Sequence, residues 1–282
     1  MPKSNACPFL ILPIELVYRI LDHLEDNLTL CCSMQNVCRR FNQILNTYYR
    51  YQTLTKLYLR GKQIGDQRTR HIGNALWNNM TLTILDLSCN QIDNEGAQHI
   101  ADALRTNVVE FITTLITLYL AENQIHHEGA QHIGDALRVN TTLITLNLNK
   151  NKINHQGVEY IADGLQNNTT LTTLYLSDNQ IGDRGAQHIG GILRVNTVLT
   201  TLELKWNRIS HIGAEHIGDA LRTNTTLATL DLRWNQISNE GAKYISDALW
   251  ANKILRLDLT ENLISCEEAH QLKKILGDRV TC

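Results

Sequence analysis

The sequence predicts an α/β solenoid, a horseshoe with a parallel inner sheet and outer helices, preceded by a small three-helix segment. Three observations predict it. The pattern Leu-x-Leu-x-x-Asn recurs, ending at Asn90, Asn123, Asn151, Asn179, Asn207, Asn235 and Asn262. A weaker copy, Leu57 to Lys62, precedes these, and the eight positions are separated by 28, 33, 28, 28, 28, 28 and 27 residues. Apolar residues then return at helical spacing after each asparagine, whereas the first fifty residues share none of this pattern.

The Leu-x-Leu part of each unit alternates sides, the period-two mark of a strand buried on one face. The run after it, as in Gly129 to Leu137, places Ala130, Ile133 and Leu137 on one helical face. The same face returns as Ala97, Ile100 and Leu104 and as Ala214, Ile217 and Leu221. One strand and one helix cannot bury these faces alone, so the units must stack. Strands about 4.8 Å apart inside and helices about 10 Å apart outside bend such a stack into an arc.

The repeated asparagine has a structural role, because its amide offers both donors and acceptors to the turn backbones where the ladder ends. Asn140, Asn168, Asn196 and Asn224 follow the helices, where asparagine suits a left-handed stop. Val108 to Ile112 inserts five residues into the third unit, read as a bulge near the helix-to-strand connection rather than a longer helix. The last unit, Glu267 to Leu276, is more charged than its predecessors, as a terminal cap facing solvent should be. The 28-residue unit resembles the ribonuclease-inhibitor-like class of leucine-rich repeats, which is similar to the repeat regions of NLR immune receptors and of the Ran GTPase-activating protein. Residues 51–282 are therefore expected to form one domain of about eight repeats, whose class binds many unrelated proteins.

Residues 1–50 read as a separate helical segment. Ile14 to Leu24 puts Leu16, Ile20, Leu21 and Leu24 on one side, with Pro13 at a suitable first-turn position. Leu28 to Met34 and Val37 to Leu45 suggest two further short helices. Three such helices can cap the apolar edge of the first repeat. Leu12-Pro13-x-Glu15-Leu16-x-x-x-Ile20-Leu21-x-x-Leu24, followed by Val37-Cys38-Arg39-Arg40-Phe41-Asn42, resembles an F-box. The middle departs from that pattern: the gap from Pro13 to Val37 is longer than the usual form, and Asn27-Leu28 replaces an aspartate-leucine step.

The resemblance implies docking on a Skp1-like adaptor of an SCF-type cullin-RING ubiquitin ligase, with the repeats holding a ubiquitylation substrate. Leu12, Pro13, Leu16, Ile20 and Leu24 would match the docking and core positions, supported by Val37 and Phe41. The other reading is a non-enzymatic scaffold or regulator of the NLR or ribonuclease-inhibitor kind, in which the first fifty residues only cap the solenoid.

Residues between and after the leucines of each strand should face the concave side. Tyr119, Tyr175, Glu203, Lys205, Asp231 and Arg233 stand there. Trp206 and Trp234 hold equivalent places just before the asparagine in adjacent units, so they should stack near the strand-to-turn edge. Tryptophan is enriched among interface hot spots. The alternative is that the pair braces the turns internally; Lys150 and Asp178 at the same place in other units favour exposure.

Other chemistries find little support. With 26 basic and 28 acidic residues, no global field draws the chain to nucleic acid or an anionic membrane. No apolar run reaches the length of a membrane-spanning helix. Seven irregularly spaced cysteines describe no disulfide framework and suggest buried, reduced thiols in a cytoplasmic or nuclear protein. A histidine column (His71, His99, His132, His188, His216) invites a metal, yet adjacent helices stand about one helix diameter apart, and zinc ligands lie near ~2 Å from one ion. There is no nucleophile elbow, phosphate loop or dinucleotide fingerprint. The expectation is a protein-binding chain, a monomer within a hetero-complex, with no enzymatic activity, cofactor or metal of its own.

Overall fold

In the computed structural model, which describes residues 54–77, 79, 81–105, 114–250 and 252–282, strand and helix alternate along the chain. The strands are β1 (Lys56–Tyr58), β2 (Ile84–Asp86), β3 (Thr117–Tyr119), β4 (Thr145–Asn147), β5 (Thr173–Tyr175), β6 (Thr201–Glu203), β7 (Thr229–Asp231), β8 (Arg256–Asp258) and β9 (Val280–Thr281). The helices are α1 (Gly65–Trp77), α2 (Asn94–Leu104), α3 (His127–Leu137), α4 (Asn154–Leu165), α5 (Gly182–Leu193), α6 (His211–Leu221), α7 (Asn239–Ala248) and α8 (Cys266–Leu276). The predicted F-box-like helices, with Leu12, Pro13, Leu16, Ile20, Leu24, Val37 and Phe41, lie outside the described residues, as does the insertion at 108–112.

The strands form one parallel sheet in chain order. Register aligns the central leucines, Leu57, Leu85, Leu118, Leu146, Leu174, Leu202, Leu230 and Leu257, in a single row. That row, the next leucine of each strand and the Ala-Ile-Leu faces of the helices make one continuous core, in which Leu85, Leu118, Ile133 and Leu146 are essentially sealed from solvent. Each helix packs on its successor, and close backbone approach requires glycine where α3 meets α4: a Cβ on Gly164 would collide with the Gly134 carbonyl.

Two features differ from the sequence expectation. The helices end at Arg138, Gln166, Arg194 and Arg222 in right-handed geometry, so Asn140, Asn168, Asn196 and Asn224 are not left-handed stops. Each instead reaches back to the preceding repeat: the Asn168 amide donates to the Leu137 carbonyl (2.7 Å) while its oxygen accepts from the N–H groups of Thr170 and Leu171 (3.0 and 2.8 Å). The same bonds recur at Asn140, Asn196 and Asn224, while the Asn252 amide donates to the carbonyls of Asn224 and Leu227 and its oxygen accepts from the Leu255 N–H. Satisfying backbone polar groups buried between repeats outweighed the helix-stop preference.

The second difference is at the C-terminal end. The charged α8 is followed by β9, which pairs with β8 and covers its last leucines. Leu259 donates to the Thr281 carbonyl at 2.7 Å, and the Arg279 guanidinium bonds the carbonyls of Leu249 and Asn252. The three described cysteines are unpaired, and Cys266 and Cys282 are exposed rather than buried.

Candidate functional site

The concave edge is built by the turn asparagines. Asn207 accepts from the backbone N–H groups of Asn179 (2.9 Å) and Ile181 (3.4 Å), and its amide donates to the carbonyls of Leu176 (2.8 Å) and Lys205 (3.3 Å). Asn90, Asn123, Asn179 and Asn235 repeat this bridge, and all are buried. The turn so fixed holds the preceding residue in the left-handed region in every unit: φ is 70° at Gly61, 58° at Cys89, 56° at Glu122, 54° at Lys150, 56° at Asp178, 61° at Trp206, 55° at Trp234 and 60° at Glu261. The N–H of this residue extends the sheet ladder, as from Trp206 to the Arg233 carbonyl (3.2 Å) and from Trp234 to that of Thr260 (3.1 Å). The backbone thus dictates the conformation and leaves the side chain open, although left-handed geometry disfavours a bulky one.

Trp206 and Trp234 occupy this column side by side. Their rings stack with centroids 4.5 Å apart and planes 6° from parallel, yet they remain 50% and 41% exposed. They lie at the surface of the turns, half-covered by one another.

Beside them the strands present charge. Asp231 is buried, and the Arg233 guanidinium covers it, with Nε 3.0 Å from both carboxylate oxygens and Nη2 at 2.6 Å. Arg233 also reaches Asp258 at 3.4 Å. Glu203 is half-buried, and burial, followed by the neighbouring Asp231 charge, pushes its carboxyl up. Lys205, a hydrogen bond from Asn149 and Arg233 oppose that shift, but among the described residues no basic group stands within ion-pair distance of Glu203. Glu203, Asp231, Arg233, Arg256, Asp258, Asp278 and Arg279 line an open concavity of about 370 Å³.

The earlier repeats are different. Glu122 binds Arg60 at 2.9 Å and Lys150 at 3.5 Å, and accepts from the Cys89 thiol at 3.2 Å. The hydrogen bonds from Cys89 and Arg60 hold its carboxyl below the usual range. Tyr119, on the strand that leads to Glu122, and Tyr175, two strands further on, are half-buried on the sheet, and burial, with Glu203 nearby, raises the Tyr175 hydroxyl. Ser88, Ala121 and Ser177, expected on the concave surface, are buried.

The sequence pattern puts Asp258 on this face but not in the candidate site, where it shares Arg233 with Asp231. Asp278 and Arg279 escape that pattern because nothing in the repeat announces the turn before β9. The histidine column is half-buried along the outer helices, and among the described residues no cluster of three or more metal-binding side chains occurs. No described helix is long and apolar enough to cross a membrane.

A family profile described as "Leucine Rich repeat" matches residues 78–101, 139–162, 167–190, 195–218 and 223–246. Residues 78–246 are therefore a leucine-rich repeat domain; the unmatched stretch, 102–138, contains the five-residue insertion. A search of curated proteins gave no match. Among solved structures 155 chains match. One is leiomodin-1 actin-binding site 2, 22% identical with a TM-score of 0.40, the alignment covering 67% of this chain and 88% of that one.

Proposed function

We propose that the chain is a non-enzymatic protein-binding scaffold or regulator that holds a partner on its concave face, with Trp206 and Trp234 as the anchor. The stacked, half-exposed pair carries the proposal. Left-handed backbone favours small or flexible side chains, and six of the eight repeats place glycine, cysteine or a charged residue there. The same turn forms in the other six repeats without tryptophan. The adjacent pair offers a flat, rigid, apolar surface of the kind that dominates binding energy. Lys205 and Arg233, with Glu203 and Asp231, would give the same patch polar specificity, and Tyr119 and Tyr175 would extend it along the sheet.

The test is affinity capture from cell extract with the full chain and with Trp206→Ala/Trp234→Ala, the two matched by circular dichroism. Captured proteins should be lost, by about tenfold or more, with the double substitution. Unchanged capture would remove the anchor, and a collapse of the dichroism signal would make the pair structural.

A second reading adds a ubiquitin-ligase role. Its support is the Leu12-Pro13 and Val37-Cys38-Arg39-Arg40-Phe41 pattern, which resembles an F-box and precedes the repeats. The chain would then be the substrate receptor of an SCF-type ligase, joining a Skp1-like adaptor to whatever the concave face holds. Pull-down of purified Skp1 by the full chain, and its loss with Leu16→Glu/Ile20→Glu, is the expected result; absence of Skp1 from the unsubstituted chain refutes this role and leaves the scaffold reading intact.

A further inference from the structure

Two of the cations around the tryptophan edge are committed. Arg233 is held by Asp231 and Asp258, and Arg279 by two backbone carbonyls. Arg256 stands two strands from Glu203 and two positions earlier in the register. Glu203, in contrast, is partly desolvated and has no ion pair among the described residues, its charge being met only by a hydrogen bond from Asn149 and the more distant Lys205 and Arg233, while the neighbouring Asp231 is already matched by Arg233. Asp178 and Glu261, both exposed, flank the tryptophans in the same left-handed column. Over the stack and the concavity, Asp178, Glu203, Asp231, Asp258, Glu261 and Asp278 stand against Lys205, Arg208, Arg233, Arg256 and Arg279, and the exposed residues flanking the indoles in their own column, Asp178 and Glu261, are both acidic.

We propose that this edge receives a basic segment of the protein partner, one arginine or lysine pairing with Glu203 in the concavity and a neighbouring cation lying on the exposed indole face. The inference rests on the protein-binding reading above and gives the partner a chemical class. A guanidinium gains twice here, from the electron-rich faces of the stacked rings and from a half-buried carboxylate with no ion pair among the described residues. An acidic segment would meet Asp178 and Glu261 beside the indoles and Glu203 next to them, with Lys205, Arg208 and, two strands away, Arg256 to receive it, and like-charge contact works against association. The concavity has room for a long side chain to enter from the open side.

The probe is a labelled octapeptide alternating arginine and glycine, with its glutamate-glycine counterpart as control, titrated into the full chain at physiological salt. Fluorescence anisotropy of the label and quenching of intrinsic tryptophan emission report binding. The arginine peptide should bind and the glutamate peptide should not. Glu203→Gln should weaken the arginine peptide about tenfold, as should Trp206→Ala/Trp234→Ala, while Glu240→Gln on the outer helix α7 should change nothing. Equal binding of the two peptides, no binding of the arginine peptide, or full affinity in folded Glu203→Gln overturns the inference. If the arginine peptide fails while partner capture still depends on the tryptophan pair, only the basic class is wrong. If capture is also indifferent to the pair, the protein-binding reading falls as well.

Discussion

Glu122 and Trp206 occupy the same left-handed position three repeats apart, with φ of 56° and 61°, and they do opposite things. Glu122 closes on its own molecule through Arg60, Lys150 and Cys89. Trp206 stacks on Trp234 and leaves half its surface in water. The turn backbone is indifferent to the difference, since the bridge made by the next residue, Asn123 or Asn207, is the same in both regions. A solenoid thus separates roles by column. The asparagine and leucine columns specify the fold, and the left-handed column is free to carry recognition. Among the described repeats, the earlier ones use that freedom for internal ion pairs and the later ones for an unpaired aromatic surface.

The largest effect should come from the column that both regions share. Asn207→Ala removes two acceptances and one donation between repeats and a second donation within its own turn, leaving the N–H groups of Asn179 and Ile181 buried without partners. Such a substitution should cost about 2–4 kcal/mol, seen as a lower melting temperature in circular dichroism. If Asn207→Ala melted like the parent, the division of labour between neighbouring residues would be lost, because position 207 would be as free as 206.

Next in size is Trp206→Ala/Trp234→Ala. Loss of a stacked aromatic pair costs about 1 kcal/mol, offset in part because alanine sits no worse than tryptophan at positive φ. Melting should therefore move much less than in Asn207→Ala, while partner capture drops. The contrast between residues 206 and 207 is one the sequence shows well. The 28-residue spacing, the leucine row and the structural asparagine are legible because each is repeated, and repetition reveals what a stacked fold requires. The tryptophans stand out for the opposite reason, as departures from a column. What is not legible is what occurs once or depends on partners far apart in sequence. The turn carrying Asp278 and Arg279 belongs to no repeat, the Arg60–Glu122 pair spans 62 residues, and the second asparagine ladder has the sequence look of helix stops. Side-chain reach across the stack decides these, and periodicity carries no information about it.

In the earlier repeats, Glu122→Gln breaks the pairs with Arg60 and Lys150 but leaves the turn intact. All three side chains are solvent-accessible, so the cost should stay below about 1 kcal/mol and shrink further as salt rises. Partner capture should be unaffected. A fall in capture as large as that of the tryptophan variant would place recognition in both regions and abolish the distinction between them.

The smallest effect has the most telling sign. Glu203 carries a carboxyl pushed up by burial and by Asp231, so the folded state holds its proton more tightly than the unfolded chain does. An acid raised on folding opposes stability when ionised: the penalty is fully present above the folded-state value and disappears as pH falls below the ordinary carboxylate range. Glu203→Gln should therefore raise the melting temperature slightly at neutral pH, by a change within about 0.5 kcal/mol. The gain should vanish at acid pH, where the parent is protonated. Thermal melts of both proteins across that range give the answer, and lower stability of Glu203→Gln at neutral pH would show that the carboxylate is already compensated within the chain. A residue whose removal steadies the fold while weakening a basic ligand is kept for the ligand. That separates Glu203 from Glu122, whose depressed carboxyl is satisfied by its own neighbours.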